Sequence, residues 1–226
     1  MTNAKAASGR MPRTRYPAPK RAAPHHRGEN QTRQTIADAA ERVFCVNGYQ
    51  GATVRQILGE AGVRSGLMSY YFPTKEALYA FVVARRAPEL RAAFLARLPS
   101  PDTSPPPDAE TCLRAYFSFF LETARDARLG DYLRLLARAS ADYGQAPVKE
   151  NLARFDFIFE TTLALLARAD PDAEPERLRA GLLFMEASVT TMLVSPGLAD
   201  HRLPEAAGEG ALIGQLTGFA LRGLVG

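Results

Sequence analysis

Apolar residues recur along most of this chain at intervals of three and four, the spacing of a helix face, and no run of alternating β-branched residues argues for a sheet. Ile36, Ala39, Ala40, Val43 and Phe44 form the first stripe. Thr32 is placed to cap its start and Asn47-Gly48 to end it, predicting a helix over 32–47. The connector Tyr49-Gln50-Gly51-Ala52 leads to Thr53, a second capping residue, and to a short helix over 54–61 with Val54, Ile57 and Ala61 on one face. Glu60-Ala61-Gly62-Val63 turns the chain, and its glycine accepts a positive φ without steric cost. A third helix starts at Arg64 or Ser65 and is stopped by Pro73, turning Met68 and Phe72 inward and Ser65, Gly66 and Ser69 outward. Thr74 caps a fourth helix from Lys75, carrying Leu78, Phe81 and Val82; Pro88 breaks it, so 89–98 is a separate segment. Two short helices joined by a Gly-containing turn are either an ordinary αα-corner or a helix-turn-helix, whose second helix enters a DNA major groove.

Beyond this unit, PSPDTSPPPD at 99–108 is a loop, since neither helix nor strand survives that composition. Helical patterning resumes over 109–126, 129–142, 147–169, 174–194 and 206–224, separated by Gly130, Gly144, Pro147, Pro171, Pro175, Pro196-Gly197 and Pro204. The expected fold is all-α, with an N-terminal helical unit over 32–78 (the corner or helix-turn-helix itself over 54–73) and a second helical domain over 79–226. No period of 20–50 residues repeats, which excludes a solenoid. Residues 1–31 hold Pro12, Pro17, Pro19 and Pro24 with Gly9 and Gly28, and read as a disordered basic arm. Such an arm either adds phosphate contacts or is a solvated tail without a role.

Charge divides the chain of 226 residues, whose net charge is +4, into a basic front and an acidic back. The balance is +6 over 1–31, +4 over 32–98 and −6 over 99–226, so the front is suited to a polyanion and the back is not. Cys45 and Cys112 form neither a disulfide framework nor a CxxC pair, and read as two reduced cysteines. No apolar run reaches a membrane span and no secretory signal is present, which predicts a cytoplasmic protein without a membrane partner. His25-His26 in the arm is a poor metal site and His201 stands alone, so no metal or other cofactor is expected. There is no GxSxG elbow, P-loop or dinucleotide fingerprint, and an enzyme is not expected.

Residues 32–78 resemble the DNA-binding domain of the tetracycline-repressor (TetR) family of bacterial transcription regulators. The match is carried by Ile36, Ala39, Ala40, Phe44, Gly48, Tyr49, Thr53, Val54, Ile57, Ala61-Gly62-Val63, Gly66, Tyr71-Phe72, Lys75-Glu76 and Leu78, in order and spacing. The resemblance implies that the first unit is a helix-turn-helix DNA-binding domain and the second an all-helical regulatory and dimerisation domain, with a homodimer and a palindromic double-stranded operator. The chain departs from the family pattern at Arg64, Ser69 and Leu58, the last with Gly59 beside it to make room.

The candidate DNA contacts are Arg55, Arg64, Ser65, Gly66, Leu67, Ser69, Tyr71 and Lys75. Arg64 can pair with a guanine edge or bind phosphate, and the two serines can bond either. Leu67 either touches a thymine methyl or packs inside. Arg55 reads as a backbone clamp. The resemblance implies a phosphate contact at Lys75 and at Tyr71, with Tyr70 in the core.

In the second domain, Phe117 and Phe120 share a face, as do Phe155 and Phe159. Each ring alone reads as core. As a set, with Met185, they give room for a small apolar or aromatic effector, with Glu186 facing the ligand, a partner subunit or solvent. Leu182, Val189 and Met192 on one late helix and Leu212, Leu216 and Phe219 on the last are compatible with the dimer surface that the resemblance implies. The expected function is a ligand-released repressor. The alternative is a DNA-binding regulator with no small-molecule effector, controlled by a partner protein or by abundance.

Overall fold

The computed structural model describes residues 25–100, 102–202 and 208–224. Its helices are α1 (His25–Gly51), α2 (Val54–Ala61), α3 (Gly66–Tyr71), α4 (Lys75–Arg85), α5 (Ala87–Arg97), α6 (Ala109–Thr123), α7 (Gly130–Ala141), α8 (Ala146–Leu152), α9 (Asp156–Ala169), α10 (Pro175–Val194), α11 (Pro196–Arg202) and α12 (Glu209–Leu224). There is no strand among the described residues. None of the described helices is long and apolar enough to cross a membrane.

The local signals act where the sequence places them. Thr53 caps α2 through a reciprocal box: its hydroxyl accepts from the Gln56 amide at 3.2 Å while Gln56 Oε1 accepts from the Thr53 amide at 2.9 Å. Gly62 ends α2 at φ 64°, left-handed geometry that favours glycine. Thr74 caps α4, accepting from the Ala77 amide at 3.1 Å. Pro88 falls in the first turn of α5, where its missing N–H has no helical partner to lose, so the break becomes a helix start.

Four features differ from expectation. α1 begins seven residues before Thr32 and runs through Gly28, since one glycine weakens a helix by only about 1 kcal/mol and no proline follows Pro24 there; the expected arm over 1–31 is therefore helical from His25, and residues 1–24 lie outside the described residues. α1 also resumes for a turn after Gly48, whose φ of 69° and ψ of 178° set a kink there. The single helix expected over 147–169 is α8, a tight 3₁₀ turn over Ala153–Phe155, and α9. The segment 196–202, read as a loop, forms α11.

α1 packs against α2 and α4 on one side and α7 on the other, so it belongs to both halves. Its buried Glu41, 5% exposed, accepts from Arg85 at 2.5 Å and Arg86 at 3.1 Å, fastening α1 to the end of α4. Two guanidiniums satisfy a carboxylate that would otherwise be costly to bury. In the second half, α6, α7, α9 and α10 surround a cavity, and α12 closes over α6 and α10.

Candidate nucleic-acid interface and regulatory cavity

The helix-turn-helix is built on a closed core. Ile36, Ala40, Phe44, Ile57, Leu58, Met68, Phe72 and Leu78 are all buried, which fixes α2 and α3 against α1 and α4. Arg33 lies over the Phe81 ring at 4.1 Å and the Phe72 ring at 5.4 Å, sealing the edge of this core. What remains outside is polar and small. Arg55, Arg64, Ser65, Gly66 and Ser69 are all exposed, and Arg55, Ser65 and Ser69 line a shallow groove between α2 and α3. Arg55 and Arg64 form no ion pair among the described residues, so both guanidiniums are available to a polyanion. A side chain at Gly59, Gly62 or Gly66 would meet nothing within 4 Å, so the protein backbone is open there to close approach. A Cβ at Gly59 would meet nothing, Leu58 included, so this glycine makes no room for the buried leucine before it.

Three expected contacts are placed differently from the rest. Leu67 is half-buried against the core. Tyr70, expected in the core, is 68% exposed, while Tyr71 is half-buried beside it, the two rings edge-to-face at 4.8 Å. The short helix ends at Phe72, and burying Met68 and Phe72 leaves Tyr70 on the opposite side. Lys75 is engaged inside the protein. Its ammonium donates to the carbonyls of Tyr49 at 2.8 Å and Ala52 at 3.1 Å, and lies 4.4 Å from the Tyr49 ring centre. Lys75 thus satisfies one carbonyl in the last turn of α1 and one just beyond it. Tyr49 completes the clamp by donating from its hydroxyl to Glu76 at 2.7 Å. That bond holds the Glu76 carboxyl below the usual range, and burial pushes the Tyr49 phenol well above its own.

The second site is a cavity of about 690 Å³ between α6, α7, α9 and α10. Phe120, Phe155, Phe159 and Glu186 line it, as the sequence suggests. Phe117 and Met185 do not; they line a separate cleft of about 300 Å³ between α10 and α12. On α6 it is Tyr116, one turn before Phe120, that shares the cavity wall. Residues that the sequence reading missed include Leu133, Leu136, Ser140, Tyr143, Asp156 and Thr190. Asp156 was discoverable as an acidic residue at a helix start, had the break before it been seen.

The cavity touches the joint between the two halves. Ser140, Ala141 and Tyr143, at the end of α7, line it. Asp142, among them, reaches across to accept from the Tyr49 amide at 2.9 Å, and Arg138 donates to the Val46 carbonyl at 3.0 Å. A Cβ at Gly48 would fall 2.7 Å from the Asp142 carboxylate, so only glycine permits this docking. Tyr132, earlier on α7, donates to the Val83 carbonyl of α4.

The expected dimer residues divide. Leu182 and Val189 are buried in the protomer's own core, because α10 turns Leu178, Leu182, Met185, Val189 and Leu193 inward at helical spacing. Met192, Leu212 and Leu216 are half-buried. Phe219 is 73% exposed, and Leu183 and Phe184 lie outward on α10.

Comparison with known proteins agrees with both halves. Residues 36–82 match the bacterial regulatory proteins of the tetR family, and residues 114–223 match the tetracyclin repressor-like C-terminal domain. The HTH-type transcriptional repressor Rv1474c of Mycobacterium tuberculosis is 31% identical over 183 residues, spanning 70% of this chain and 92% of that protein. The HTH-type transcriptional regulator PksA of Bacillus subtilis is 41% identical over 51 residues, 23% of this chain and 25% of that protein. A TetR-like transcriptional regulator from Rhodococcus sp. RHA1 superimposes with a TM-score of 0.63 at 20% identity, covering 86% of this chain and 96% of that one. The same fold occurs in FadR from Bacillus subtilis in complex with stearoyl-CoA, with a TM-score of 0.58 at 18% identity over 84% of this chain and 98% of that one. A regulator from Saccharomonospora viridis in complex with choline has a TM-score of 0.61 at 14% identity over 84% and 95%. The chain belongs to the TetR family of DNA-binding bacterial transcription regulators.

Proposed function

We propose that this regulator is a repressor that binds a palindromic operator as a homodimer and leaves it when a small molecule fills the α6–α7–α9–α10 cavity. The observation that carries the reading is the shared use of the end of α7: Ser140, Ala141 and Tyr143 line the cavity, while Asp142 between them docks on the last turn of α1. A ligand that favours a different position of this turn also favours a different position of α1, and with it of α2 and α3. The coupling is then the difference in the ligand's affinity for the two positions, and it needs no contact with DNA. Rv1474c is named a repressor, and two regulators of this fold are named as complexes with choline and stearoyl-CoA, which supports regulation by bound small molecules.

The dimer forms through the outward faces of α10 and α12, where Leu183, Phe184 and Phe219 are exposed. Joining such helices from two protomers covers these rings and sets the two α3 helices about one DNA turn apart, ~34–36 Å. Selection from a random duplex pool, followed by sedimentation of the protein alone and on the selected DNA, tests the assembly. Recovered sequences with two-fold symmetry and a dimer on each duplex are expected. Asymmetric sites bound by a monomer would overturn it.

A further inference from the structure

We propose that the α6–α7–α9–α10 cavity is built for a lipophilic organic cation: a bulky apolar or aromatic molecule carrying one positive charge. This rests on the effector reading above and names the ligand class. The cavity wall holds two carboxylates, Glu186 of α10 and Asp156 at the start of α9, and no Lys, Arg or His. Neither carboxylate has a hydrogen bond or ion pair among the described residues. The neighbouring arginines of α7 are committed elsewhere, Arg134 to Asp131 and the Ala124 carbonyl, Arg138 to the Val46 carbonyl.

Burial, and then the negative charge of Asp156, hold the Glu186 carboxyl above its usual range. Beside Glu186 sits Tyr116, only 1% exposed, whose phenol is held above its ordinary range by burial and then by the Glu186 charge. The two like-charged side chains, both on exposed residues, and the Tyr116 phenol thus share one mostly apolar lining. A neutral ligand would strip water from both carboxylates without compensation, and an anion would add a third like charge. A cation relieves the repulsion. It also meets the rings of Tyr116, Phe120, Tyr143, Phe155 and Phe159, whose faces attract positive charge. The volume, about 690 Å³, suits a molecule of several rings or a long chain rather than a bare amine.

The test is calorimetric titration of the whole protein with three probes of similar shape: tetraphenylphosphonium (a cation), triphenylphosphine oxide (neutral) and tetraphenylborate (an anion). The phosphonium is expected to bind at least about tenfold more tightly than the other two. The double variant Glu186→Gln with Asp156→Asn is expected to lose about tenfold for the phosphonium while holding the oxide unchanged, which a general loss of fold would not do. Equal binding of the oxide or the borate by the unaltered protein overturns the charge assignment and leaves the effector reading standing. A phosphonium preference that survives the double variant also overturns it. Absence of binding by all three overturns both readings.

Discussion

The α1–α4 unit and the α6–α12 unit spend their aromatic residues differently. In the first, Phe44, Phe72 and Tyr79 are packed to near-zero exposure, leaving an outer α2–α3 face made of arginines, serines and glycines. In the second, Tyr116 and Phe120 stand with Phe155 and Phe159 around a space that no side chain fills, and Phe184 at 68% exposure joins Phe219 on the outside. Protein interiors normally reach crystal-like packing density. A closed core under a polar face is what a rigid DNA reader needs. A ring-lined cavity with further apolar rings on the outside is the surface that the proposed ligand and second subunit would cover.

The sharpest way to break this contrast is a matched pair of truncations. Phe44→Ala removes a ring packed on all sides and should cost about 3–5 kcal/mol in denaturant unfolding, whereas Phe159→Ala, half-buried on the cavity wall, should cost less than about 1.5 kcal/mol. Equal losses would mean that the two interiors are packed alike. Next in size is Gly48→Ala. It forces alanine into a backbone region open essentially to glycine and sets its Cβ against Asp142, for a loss of about 1–3 kcal/mol. Its effect belongs to the joint rather than to either unit, so the same variant should also weaken ligand-induced release of DNA.

The smallest pair divides the DNA-binding unit itself. Lys75→Ala should lower stability by about 1–2 kcal/mol, because the Tyr49 and Ala52 carbonyls lose their donor. Arg64→Ala should leave stability within about 0.5 kcal/mol and change binding instead, by about 1–3 kcal/mol against the selected sequence. A Lys75 variant of full stability that binds every duplex more weakly would return that ammonium to phosphate.

How well the sequence foretold each part follows the range of the interactions. Thr53, Gly62, Pro73 and Thr74 act on residues within one turn, so the helix-turn-helix and its boundaries could be read directly. The partners of Lys75 lie 23 and 26 residues away, and Asp142 lies 93 residues from the Tyr49 amide that it holds. No local pattern encodes such distances, and Lys75 at the head of a helix looks the same whether it meets phosphate or a carbonyl. The break at Ala153–Phe155 carries no Gly or Pro, so periodicity ran through it and hid Asp156. On α10 the apolar residues were found correctly, but a stripe on a long helix does not say whether it meets its own core or a partner. The packing assigns Leu182 and Val189 to the core and leaves Phe184 outside.

The central claim is that the cavity governs DNA binding through Asp142. It is tested most directly by fluorescence anisotropy of a selected, labelled duplex held by the protein, as tetraphenylphosphonium is added. The unaltered protein should release the duplex over the same concentrations at which the ligand binds. Asp142→Ala, which removes the acceptor of the Tyr49 amide, should bind the ligand equally well and keep its DNA. Release that is unchanged in Asp142→Ala, or ligand binding by the unaltered protein without any release, would contradict the account.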